Sequence, residues 1–233
     1  HLEALKERVC NFDLIGVSAE LDAIAGRIDT IMEAFDEEEK AKEIFDSECD
    51  SIYAKNTQID KRYIKLCNAL GDVKRIFVIS EAQQDNIGAI RDQINKTGAT
   101  KRSLDTFIHS GSPQPYTVLV SKMHSLRDET DQCATLLDDF NAYLLTLKTD
   151  SEDALEHIQN FYQKLVKTET MLRKIDLESE TERIMPKIDE VYSIIDQCYA
   201  TLSRTPIDVV KVNSLVDELK NKGEDIISNF TLI

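Results

Sequence analysis

Three of the four histidines stand four residues from an aspartate: Asp105–His109, His124–Asp128 and Asp153–His157. On a helix, residues four apart share a face, so each pair could offer two ligands to one metal ion. A metal site needs a second pair converging from a facing helix, and a helical di-iron site needs inward Glu with an ExxH motif. Neither pattern falls on the apolar positions described below. The three pairs therefore read as exposed contacts worth roughly 0.2–0.5 kcal/mol each. No metal or cofactor is expected.

Other chemistry is equally hard to assemble. The acidic run Glu37–Glu39 could receive a cation or a basic partner, but such a run is more simply a solvated helix face. Lys42 follows Glu38 at i+4 and would partly neutralise it. The five cysteines (Cys10, Cys49, Cys67, Cys133, Cys198) are odd in number, widely spaced and without CxxC. That argues against a disulfide framework or a zinc site and fits a reducing cytosol. There is no Gly-rich phosphate loop and no GxSxG. No catalytic, cofactor-binding or metal-ligating residue is assigned, and no enzyme is expected.

Charge narrows the partners. The 43 Asp and Glu outnumber the 28 Lys and Arg, giving a net charge of −15. Nucleic-acid phosphates need cationic neutralisation, and anionic membrane surfaces attract basic segments, so neither is an expected partner. No run of 18 apolar residues occurs, so no segment reads as membrane-spanning. No signal-peptide pattern is present, and a start at His1 rather than Met reads as the start of a fragment.

The elements that carry these residues follow from periodicity. Stepping alternately three and four residues from Leu21 gives Leu21, Ile24, Ile28, Ile31, Phe35, Glu38, Lys42, Phe45, Cys49, Ile52, Asn56, Ile59, Tyr63, Leu66, Leu70, Val73 and Phe77. Fourteen of these 17 are apolar, where composition alone predicts about 7. A second seam runs Leu119, Met123, Leu126, Thr130, Cys133, Leu137, Phe140, Leu144, Leu147, Ser151, Ala154, Ile158, Phe161, Leu165, Thr168, Leu172 and Ile175. Each spans 57 residues without a slip, which predicts two helices about 85 Å long with coiled-coil seams. Cys49, Cys133 and Cys198 act there as small hydrophobes. Tyr53, Tyr63, Phe77, Phe140, Tyr143, Phe161 and Tyr162 fall on or beside the seams and read as core packing. Buried at its seam position, Asn56 would fix register; at an edge it would only meet solvent.

Three shorter helices are expected. One carries Ile87, Ile90, Ile94, Leu104 and Ile108; another Ile184, Ile188, Val191, Ile195, Cys198 and Leu202; the last Val209, Val212, Val216, Leu219, Ile226 and Phe230. Ser80 with Gln83 forms a capping-box pattern. Gly111, Pro113 and Pro115 break the chain. Thr205 can cap a helix with Pro206 at its first position and Asp208 near its positive end. Ser179 and Glu182 argue for a start near 180, but a helix-interior Pro186 costs about 3 kcal/mol, so 180–185 reads as an irregular turn before a helix beginning near Pro186.

Short connections make neighbouring helices antiparallel. A short helix covers only half of a 57-residue partner, so each long helix should serve two successive bundles. Both seams are polar at their midpoints, at Glu38 and Lys42 and at Ser151, where a helix would change partners. The expected architecture is all-α: an elongated rod of tandem spectrin-like three-helix repeats sharing long continuous helices. Residues 1–45 end one repeat, 46–145 form a complete repeat and 146–233 form a second. Helices starting near Ser18, Pro115 and Pro206 are then equivalent.

Particular stretches add a resemblance. LIGVSAELDAIAGRIDTIMEAFDEEEKAK resembles the pattern in which EzrA-family proteins lead a short connection into a long helix across a repeat junction. FVISEAQ at 77–83 is similar to that family's break after the long helix, and 173–220, with its TPIDVVKVN entry, resembles the family's last repeat. The resemblance covers nearly the whole chain. It implies a Gram-positive cell-division protein held to the membrane by an N-terminal helix outside these residues. It also implies a cytoplasmic region, enriched at the division septum, that interacts with FtsZ and other division proteins and restrains septal ring assembly. Neither the membrane helix nor the polar patch expected beyond the last helix falls within these residues, so no binding residue is carried over. Self-association is left open by the sequence. The rival expectations are a spectrin-type spacer with no division role and a helical enzyme or metal carrier.

Overall fold

The computed structural model describes residues 2–10, 17–174 and 178–231. Six helices account for nearly all of them: α1 (Leu2–Cys10), α2 (Val17–Ile76), α3 (Glu81–Ile108), α4 (Tyr116–Leu172), α5 (Glu178–Leu202) and α6 (Val209–Thr231). Among the described residues there is no strand, only an isolated parallel bridge between Phe77 and Ile207. The protein is all-α, and its heptad-patterned helices fit coiled-coil, spectrin-like packing.

The two long helices form as the seams require. α2 has 60 residues and α4 has 57, and neither breaks at its polar midpoint. Glycine is rare in both, and proline is absent, so nothing removes an i→i−4 bond. α1, which the seams do not mark, precedes α2. Ile175, the last position of the second seam, and the Phe230 side chain lie outside the described residues.

Helix ends correct three local expectations. Ser80 does precede α3: its carbonyl accepts from Gln83 N and Gln84 N at 3.1 and 3.0 Å. The Gln83 side chain does not close a capping box, however; its Oε1 accepts from Asn86 Nδ2 at 2.9 Å. The helix expected from Pro206 begins at Val209 instead. Ile207 is held in extended geometry, donating to Ile76 O and accepting from Val78 N. Asp208 becomes the cap, its Oδ1 accepting from Lys211 N at 3.0 Å. Pro186 lies inside α5, which runs from Glu178 rather than starting at the proline. Ile184, two residues upstream of Pro186, is buried in the core, and that burial favours a helix that continues through the proline.

The chain divides into two packing units, each assembled from separate stretches of chain. The first is His1–Ile59 with Gln93–Gln132. Its core is Ile52, Leu104, Leu119, Met123 and Leu126, flanked by Phe45, Cys49, Tyr53, Phe107 and Tyr116. The second is Asp60–Asp92 with Cys133–Ile233. It holds a small cluster of Ile79, Leu147 and Val209, and a large one built by α4, α5 and α6 around Ile158, Leu165, Ile188, Ile195, Val212 and Leu219. Cys133 and Cys198 are buried and Cys49 half-buried. Burial pushes the Cys198 thiol up to about 11, so it packs as a small hydrophobe.

The two seams differ in coverage. Along α4, thirteen seam positions from Leu119 to Leu172 are buried. Along α2, Val17 is buried at the very start, burial resumes only at Ala41, and Ile52, Asn56, Ile59 and Leu66 are buried beyond it. Before that point Leu21, Ile28, Ile31 and Phe35 are 50–70% exposed.

Candidate functional surfaces and their polar contacts

Some of the residues singled out for chemistry join one helix to another, and others bond only within their own helix. Glu38 is the clearest case of the first kind. Its neighbours Glu37 and Glu39 are exposed to solvent, while Glu38 turns its carboxylate to the start of α4. Oε2 accepts from Tyr116 N at 2.7 Å, and Oε1 accepts from Thr117 Oγ1 at 2.6 Å. Free N–H groups and the positive dipole end make a helix start a favourable place for a carboxylate. The Thr117 hydroxyl, with the Tyr116 and Thr117 amides, holds the Glu38 carboxyl below its ordinary range despite partial desolvation. Lys42 is exposed and forms no ion pair with Glu38 among the described residues. Beside this cap the Phe45 and Tyr116 rings meet edge-on, 6.0 Å between centroids.

The histidine pairs form differently from the expected side-chain contacts. His109 Nδ1 donates to Asp105 O at 2.8 Å, and His157 Nδ1 donates to Asp153 O at 2.8 Å. Helical side chains lean toward the preceding turn, so the ring reaches the i−4 carbonyl rather than the i−4 carboxylate. The Asp105 carboxylate instead accepts from Tyr53 OH at 2.6 Å. His124 faces α2: its Nε2 lies 3.5 Å from Glu48 Oε2, and Arg127 Nη1 lies 3.6 Å from the same oxygen. Asp128 is paired with Arg127 Nε rather than with His124. No group of three or more His, Cys, Asp or Glu close enough to hold a metal occurs among the described residues.

Asn56 is buried at 2% exposure, which excludes the edge position. Its Nδ2 lies 3.4 Å from Thr130 Oγ1, and Thr130 donates to Leu126 O at 2.7 Å. Thr97 on α3 is also buried, and its hydroxyl donates to Gln93 O at 2.8 Å. One buried polar residue from each of three helices is the kind of placement that penalises a shifted heptad. Around this core Lys55 pairs with Asp131, and Lys96 with Glu129.

Unit two contains a second tyrosine–carboxylate bond, from Tyr192 OH to Glu169 Oε2 at 2.8 Å. Arg173 holds the Glu169 carboxyl below its usual range, with help from Tyr192. Burial, then the Glu169 bond, raises the Tyr192 phenol. Of the seam aromatics, Phe140 is buried, and Tyr53, Tyr63, Phe77, Tyr143 and Phe161 are half-buried; Tyr162 is exposed and stacks edge-on against Tyr192. An open groove of about 720 Å³ between α4 and α6 is lined by Phe161, Lys164, Lys220, Glu224 and Asp225, among others. Its rim carries both signs of charge, so it selects neither anion nor cation. No described helix is long and apolar enough to cross a membrane.

With this geometry in place, comparison with known proteins decides the family. The model of the septation ring formation regulator, EzrA, matches residues 1–232. The chain belongs to the EzrA family. No curated protein and no solved structure matches it. EzrA membership assigns the chain to septation, within cell division, and sets its work at the division site among division proteins. It agrees with a structure whose polar side chains cap and join helices. The sequence missed the Glu38 cap because a carboxylate 78 residues before its partner leaves no local signal. The pairing of a polar seam position with a helix start was the available clue.

Proposed function

We propose that this chain is a non-enzymatic regulator that interacts with FtsZ and restrains septal ring assembly. It acts as a spacer of spectrin-like repeats, held at the cytoplasmic face of the membrane by an N-terminal helix outside these residues. The repeats run 1–45, 46–145 and 146–233, with α2 and α4 each contributing to two of them. Partner contacts lie on the exposed b, c and f faces of the heptads, since the seam of α4 and that of α2 beyond Ala41 are occupied by packing. The observation that carries this reading is the family match across residues 1–232.

Continuous helices support a spacer because a junction without a linker transmits position from one repeat to the next. The test is co-sedimentation of the chain with FtsZ polymers and measurement of the critical concentration for FtsZ assembly. The chain should pellet with polymers and raise that concentration. A chain that neither binds FtsZ nor changes its assembly contradicts the proposal and leaves a purely structural spacer.

A further inference from the structure

We draw no further inference here: the strongest candidate, the exposed apolar stripe of Leu21, Ile28, Ile31, Met32 and Phe35 on the first half of α2, carries nothing because the structure does not show what covers it.

Discussion

The Phe161 ring points end-on at Gly223: a Cβ built on that glycine would lie 2.1 Å from Cζ of the ring. Gly223 sits in the interior of α6, where glycine is about 1 kcal/mol worse than alanine. The ring is half-buried against the α4–α5–α6 core and gives up that packing if it swings away. Gly223→Ala should therefore lose about 1 kcal/mol net, overpacking of about 1–3 kcal/mol outweighing the gain in helix propensity. In a Phe161→Ala background the same change should be stabilising. Urea unfolding of the four variants in this cycle checks both signs.

Glu38→Ala should loosen the first turn of α4. Because the folded Glu38 carboxyl titrates below its ordinary range, its contribution is present at and above that range. It is lost as the pH falls through the lower folded value. Amide exchange at Tyr116 and Thr117 should be faster in the variant at pH 7. The difference should shrink as the pH is taken well below the ordinary carboxylate range. A difference independent of pH contradicts capping by the ionised carboxylate.

Replacing Pro186 with alanine tests whether α5 truly continues through it. Alanine restores an N–H and removes a ring clash, for a gain of about 1–3 kcal/mol after allowing for the freer unfolded chain. A helix that began at the proline would gain nothing. Thermal unfolding of Pro186→Ala separates the two outcomes.

The buried Asn56 amide gives an asymmetric prediction. Asn56→Ala leaves a hole and removes a partner of Thr130, and should destabilise by about 1–3 kcal/mol. Asn56→Leu should fall within about 1 kcal/mol of the parent while weakening register. Chemical denaturation measures the first effect, and loss of dispersion in the methyl NMR spectrum reports the second.

Much of the helical layout could be read from repetition. A stripe continued over 57 residues leaves only one economical backbone, and the shorter helices repeat the same spacing. What escaped the sequence depends on contacts between distant segments. Glu38 looked like a weak seam position because its partner amides belong to α4. Val209 starts α6 because Ile207 is bound by Ile76 and Val78, again a distant pairing. Locally Pro186 carries only its penalty, whereas burial of Ile184 favours continuation of α5. The exposure of Leu21, Ile28 and Phe35 was invisible for a related reason: periodicity records that a face is apolar and says nothing of what lies against it.

Continuity of α2 through Glu38 is the claim on which shared repeats depend, and an electron-spin distance measures it directly. Labels at Asp22 and Gln58, both exposed and both in the first unit, in a variant with Cys10, Cys49 and Cys67 replaced by serine, would be 36 residues apart. An unbroken helix puts their Cα atoms about 54 Å from each other, with one narrow distribution. A distribution centred near 40 Å or below, as a sharp bend at Glu38 would give, contradicts the account.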